Sequence, residues 1–161
     1  MAMTSGPDGL GTRLRHVLEL LDGDVATFLA DLGVEDYRPR YSAVVRALLA
    51  KGPLAIRDLA AEMRVTHSAA SQTVAQMSRA GLVVLEPGAD ARQRIVSLTP
   101  KTRDLLPVLE GEWTATNEAW DTLEAELPYS LRALLDEIVD ALDRKPFRQR
   151  IGETEAAREL L

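Results

Sequence analysis

The sequence predicts a mainly α-helical chain carrying one small β-hairpin. Two observations lead to that fold class, and a third bears on partners. Apolar residues recur at three- and four-residue steps in the first and last thirds of the chain, the period of a helix that buries one face. Between those thirds, Leu54 to Thr99 reads as a helix, a turn, a second helix and a hairpin, in that order. The charge is also uneven. From Arg38 to Arg103, eleven Lys and Arg face four acids, a net +7, so the remainder carries −13 of the total −6.

The elements follow along the chain. Residues 1–9 are small, polar and glycine-bearing, and are expected to form a flexible tail. Residues 10–37 are expected to be an N-terminal dimerisation helix. Leu14, Val17, Leu18, Leu21, Val25, Phe28, Leu29 and Leu32 form its apolar stripe, which Gly33 and Glu35 to Pro39 break. Arg40 to Ala50 reads as a second helix with Val44, Val45, Leu48 and Leu49 inward, closed by Gly52-Pro53. Ile56 to Arg64 is the next helix, Val65-Thr66 a turn, and His67 to Gly81 the helix after it. Val83, Leu85, Ile95, Val96 and Leu98 supply strand-like runs around the turn cluster Pro87-Gly88-Ala89-Asp90.

Thr99-Pro100 is a strong start signal, an N-cap followed by proline in the first helical position. Leu109, Trp113, Thr116, Trp120, Leu123 and Leu127 then alternate steps of four and three, a seam along another helix. Pro107 inside that helix predicts a kink about one turn upstream. Leu131, Leu134, Leu135, Ile138, Val139 and Leu142 mark another amphipathic helix, ending before Pro146. Residues 38–99 thus form a unit of their own, 100–145 C-terminal dimerisation helices, and 146–161 an extension with room for a short helix. The apolar faces at both ends exceed what the central unit needs, so a homodimer is expected.

A second helix presented by a helix-turn-helix enters the DNA major groove. In His67 to Gly81, Ala70, Val74 and Met77 share one face and should meet Leu59, Val65 and Leu82 in the core. Thr66 caps the helix. His67, Ser68, Ser71, Gln72, Ala75, Gln76 and Arg79 then point outward, a face without an acid and with a small-residue floor. Gln pairs bidentately with adenine, and Ser donates to phosphate or base. Arg92 and Arg94, just past the hairpin turn, can reach a narrow minor groove or a phosphate, with Asp90 holding one of them. The expected DNA-contact set is therefore Thr66, His67, Ser68, Ser71, Gln72, Gln76, Arg79, Arg92 and Arg94. An exposed polar helix with a surface hairpin, used for protein contact, is the competing reading.

Composition narrows the rest. Without cysteine there is no disulfide framework or thiol switch, and His16 and His67 are the only imidazoles, so neither a metal site nor a cofactor is expected. A Gly-rich phosphate loop and a nucleophile–base pair are missing, which argues against an enzyme. With no signal-like or membrane-length apolar run, a cytoplasmic location is expected.

The run VTHSAASQTVAQMSRAGLV followed by GADARQRIVSLTP resembles the winged helix-turn-helix of the MarR family (multiple-antibiotic-resistance-type regulators). The likeness extends over roughly residues 10 to 142, and Asp-x-Arg before a strand ending in Leu-Thr is its most specific element. It implies a winged helix-turn-helix flanked by dimerisation helices, in a homodimeric transcriptional regulator, more often a repressor, on a pseudo-palindromic operator. It also implies release by a small aromatic or anionic effector, for which Arg15, His16, Tyr37, Tyr41 and Trp113 are the candidates here. The sequence departs from the family at Ala55, where Ser or Thr commonly caps the first helix of the motif, and at Ala89, commonly a charged residue.

Overall fold

A computed structural model describes residues 9–90 and 93–160. All but Gly9 of the tail expected over residues 1–9 therefore lies outside the described residues. The order is α1 (Leu10–Asp31), α2 (Tyr41–Lys51), β1 (Leu54–Ala55), α3 (Ile56–Glu62), α4 (His67–Arg79), β2 (Val83–Pro87), β3 (Arg94–Leu98), α5 (Pro100–Ala125), α6 (Leu131–Arg144), α7 (Phe147–Gly152) and α8 (Glu155–Leu160). The chain divides into two compact units, the first ending at Trp113 and the second beginning at Thr114, both within the span of α5.

The core of the first unit joins Leu29 of α1 to Tyr41, Val44, Val45 and Leu48 of α2, Leu59 of α3, and Val74 and Met77 of α4. Leu82, Val83, Val96, Leu98 and Leu109 close it from the sheet and α5. Ala70, Val74 and Met77 are buried as their spacing requires. Leu49 and Val65 are corrections: they are 40% and 41% exposed. Leu49 falls at the edge of the stripe centred on Val44 and Leu48. Val65 follows a helix that ends earlier than the apolar pattern suggests, and so leaves the buried phase.

Three helix ends share one device. After α1, Val34 N–H bonds Leu29 O (2.9 Å) and Gly33 N–H bonds Ala30 O (2.9 Å), with Gly33 at φ 80°. After α4, Leu82 N–H bonds Met77 O (2.8 Å) and Gly81 N–H bonds Ser78 O (3.0 Å), with Gly81 at φ 70°. These paired bonds satisfy carbonyls left open at a helix C-terminus and need a left-handed residue between them. The same pattern ends α3, with Val65 N–H on Ala60 O and Arg64 N–H on Ala61 O, but here a non-glycine, Arg64, takes φ 54°. α3 therefore stops at Glu62 rather than running to Arg64.

The sheet is antiparallel in the order β1-β3-β2. Val83 to Pro87 pairs in register with Leu98 to Arg94, while Leu54 and Ala55 pair with Val96 and Ile95. Sequence periodicity misses β1 because two residues carry no period. At the tip, Gly88 N–H bonds Gln93 O (3.0 Å) and Gln93 N–H bonds Asp90 O (2.8 Å). A Cβ on Gly88 would stand 3.1 Å from Gln93 Cβ and 3.3 Å from Ile95 Cγ1, so this close approach favours glycine.

Thr99 caps α5 as expected, its Oγ1 accepting from Thr102 N at 3.3 Å. The helix runs uninterrupted through Pro107. In the second unit, Ser130 Oγ accepts from Ala133 N at 3.2 Å and starts α6, whose residues are all more than marginally exposed. Glu124 accepts from Ser130 Oγ (2.8 Å) and Arg132 N (3.0 Å), and these bonds hold its carboxyl below the usual carboxylate range. The extension forms two short helices, α7 and α8. Among the described residues, no helix is long and apolar enough to cross a membrane.

Candidate nucleic-acid interface

α4 is held at both ends. Thr66 is its N-cap, with extended backbone (φ −68°, ψ 152°) and Oγ1 accepting from Ala69 N at 3.2 Å. At the other end, Thr99 Oγ1 donates to Gly81 O (2.7 Å) and Lys101 Nζ to Ala80 O (3.0 Å). Thr102, fully buried, donates its hydroxyl to Leu82 O. A lysine at that terminus also complements the negative end of the helix dipole. The start of α5 thus clamps the exit of α4, and the hairpin begins from a fixed point.

Thr66, His67, Ser68, Gln72, Ala75 and Arg79 are exposed, while Ser71 and Gln76 are half-buried. Gln76 differs from the rest because its side-chain oxygen is engaged within the chain. Arg40 donates to Gln76 Oε1, and Tyr41 Oη lies 3.5 Å from the same atom. Arg40 and Tyr41, at the start of α2, are neighbours of the helix face that sequence reasoning did not anticipate. Arg94 is exposed at the first position of β3, opposite Pro87. Arg92 lies outside the described residues. Ala55 is the N-cap of α3 and provides no side-chain cap, consistent with the missing Ser or Thr.

The effector candidates separate into two groups. Tyr37 and Tyr41 are core residues, 2% and 3% exposed, packed edge to face with centroids 5.7 Å apart. Trp113 Nε1 donates to Ser42 Oγ at 2.9 Å, and Tyr37 Oη shares that hydroxyl at 3.2 Å. Arg46 stacks over the Trp113 ring, 4.4 Å from its centroid. Burial pushes the Tyr37 phenol up to about 12, against the hydrogen bond from Ser42, with the Glu112 carboxylate adding to the rise and Arg46 opposing it. Arg15 and His16 stand exposed on α1, far along that helix from its one buried residue, Leu29. Ser42, the node joining Tyr37 to Trp113, carried no sequence signal, since a lone serine in a helix says nothing of its partners.

A second feature emerges beside α4. Ala55, Ile56, Arg57, His67, Gln93 and Arg94 line a cleft of about 320 Å³ between the start of α3, the start of α4 and the tip end of the hairpin, where β3 begins. Among the described residues, no group of His, Cys, Asp and Glu could hold a metal ion.

Residues 36–94 match the model of the MarR family. No curated protein sequence matches the chain. Among solved structures, the M. tuberculosis transcriptional regulator MOSR in complex with DNA is 20% identical, with a TM-score of 0.67 over 88% of this chain and 99% of that one. The PcaV transcriptional regulator from Streptomyces coelicolor, in complex with its natural ligand, is 19% identical (TM-score 0.64; 90% and 96% covered). NadR in complex with 4-hydroxyphenylacetate is 22% identical (TM-score 0.54; 88% and 97% covered). At these identities the likeness establishes the fold: a mainly helical chain with a three-stranded antiparallel sheet whose β2–β3 hairpin is the wing.

Proposed function

From the premise that the winged helix over residues 36–94 is a MarR-family one, we propose that the chain is a sequence-specific DNA-binding transcriptional regulator. It acts as a repressor, a homodimer placing two copies of α4 in successive major grooves of a pseudo-palindromic operator. The observation that carries this reading is the exposed face of α4, acid-free and rigidly capped, beside a wing bearing Arg94. Thr66, His67, Ser68, Ser71, Gln72, Gln76 and Arg79 make the groove contacts, and Arg92 and Arg94 those of the wing. Gln72 and Ser68 read bases; the arginines supply salt-sensitive affinity.

α1 and α6 form the dimer, since both leave their apolar stripes uncovered within one chain. Leu14, for example, is 55% exposed and Ile138 52%. The dimerisation segments are residues 10–37 and 100–145, flanking the DNA-binding unit at 38–99. A small aromatic or anionic effector, of the kind that NadR holds in 4-hydroxyphenylacetate, weakens DNA binding. It contacts Arg15, His16 and Trp113 and bears on the buried pair Tyr37 and Tyr41 through Ser42. A winged helix that docks protein instead of DNA would use the same face. Fluorescence anisotropy of a random-sequence duplex separates the two. Regulator chemistry predicts binding that weakens steeply between about 50 and 200 mM salt, and no binding at low salt contradicts it.

A further inference from the structure

The cleft beside α4 gathers side chains from three places in the chain. Arg57 comes from the first turn of α3, His67 opens α4, and Gln93 and Arg94 stand at the tip end of the wing, where β3 begins. No acid lines it. Arg57 has an ion-pair partner in Asp58, whose Oδ1 lies 3.4 Å from Arg57 Nε. Both side chains of that pair are largely exposed, at 76% and 50%, so it holds Arg57 weakly. It also occupies one edge of the guanidinium and leaves the Nη donors for another acceptor. Two guanidinium groups, an imidazole and an amide around one opening suit a single oxyanion with several acceptor oxygens.

We propose that this cleft seats one backbone phosphodiester of the bound duplex, with Arg57 as a contact that fixes the register of α4. The inference rests on the regulator reading above and adds a residue to it. The DNA backbone is the occupant because the cleft opens between the two elements that reading places in the grooves, the start of α4 and the wing. A phosphate held there positions the recognition helix without reading sequence. Asp58 opposes the contact by competing for Arg57.

The test is the salt dependence of duplex affinity. Arg57→Ala is expected to lower the slope of log K against log salt by about 0.9, equally for preferred and random duplexes, with base preference unaltered. Arg57→Lys is expected to keep the slope, and Asp58→Asn to raise affinity. Arg148→Ala, a cation on α7, changes neither. An Arg57→Ala protein that is folded by circular dichroism and keeps the wild-type slope overturns the proposal while leaving the regulator reading intact. A second arm needs no duplex. Inorganic phosphate titrated into the free protein should shift the amide resonances of Ile56, Arg57, His67, Gln93 and Arg94, and Arg57→Ala should abolish those shifts. Phosphate shifts in a protein that binds no duplex would overturn DNA as the occupant, and the regulator reading with it.

Discussion

Arg64 occupies a backbone conformation that glycine would adopt without a Cβ penalty. Its φ of 54° closes α3 and sets the angle at which the chain enters α4. A left-handed residue with a side chain costs about 1–2 kcal/mol, partly offset in glycine by greater freedom when unfolded. Arg64→Gly is therefore expected to raise the urea midpoint, by the equivalent of about 1 kcal/mol at most. A lowered midpoint would mean that the Arg64 side chain contributes more than its backbone costs. Tyr37 gives a second expectation. Its phenol keeps its proton to about 12 in the folded protein, whereas an unfolded tyrosine releases it near pH 10. Above about pH 10 the unfolded chain therefore holds fewer protons, and stability falls as pH rises toward 12. The loss is about 2–3 kcal/mol in order of magnitude, and urea titrations at pH 9.5 and 11.5 should show it in wild type but not in Tyr37→Phe. At this scale the sequence was readable wherever chemistry is local. Thr66 and Thr99 cap as their residue types suggest, and Ala70, Val74 and Met77 pack by spacing. The burial of Tyr37 against Ser42 and Trp113 was not legible, because Ser42 and Trp113 are brought together only by α5 crossing the core.

The helix-turn-helix and its wing are connected through hydrogen bonds at the exit of α4, from Thr99, Lys101 and Thr102 to the carbonyls of residues 80–82. A fixed exit means that the wing and α4 move as neighbours of one clamp, which suits simultaneous contact with groove and backbone. In the proposed regulator the two elements divide the work. Gln72→Ala is expected to change the preferred base at one position per half-site with little change in salt slope, a discrimination loss of about 1–3 kcal/mol. Arg94→Ala is expected to weaken binding to every sequence and to reduce the salt slope by about 1. Parallel titrations of preferred and random duplexes distinguish them, and identical effects from the two substitutions would contradict the division. Periodicity found every helix of eight residues or more, and alternation found the hairpin. It missed β1, which is two residues long, and extended α3 past the left-handed Arg64, because neither a short strand nor an αL arginine leaves a mark in a hydrophobic pattern. The cleft around Arg57 was equally invisible, since its lining residues are separated by up to 39 positions, from Ala55 to Arg94.

The whole molecule presents two unbalanced properties. Its basic residues concentrate between Arg38 and Arg103 while its acids lie mostly outside, so the field favours polyanions at the centre and repels them at the ends. Its exposed large apolar residues lie mostly at the ends instead. Leu10, Leu14, Leu18, Leu134, Leu135 and Ile138 remain exposed on α1 and α6, and a second copy is the occupant that the proposed regulator supplies. Leu135→Glu with Ile138→Glu should yield a monomer by sedimentation at micromolar concentration with helicity retained, and affinity for a two-fold site should fall with it. A dimer that survives both substitutions would place the interface elsewhere. The most direct test of the central claim is selection from a random duplex pool by the full chain. Regulation through paired winged helices predicts enrichment of a two-fold sequence whose half-sites are about 34–36 Å apart, one helical turn, and a weaker enrichment with Gln72→Ala. A pool that stays random at low salt, both before and after the protein is refolded from denaturant to remove bound effector, would contradict it.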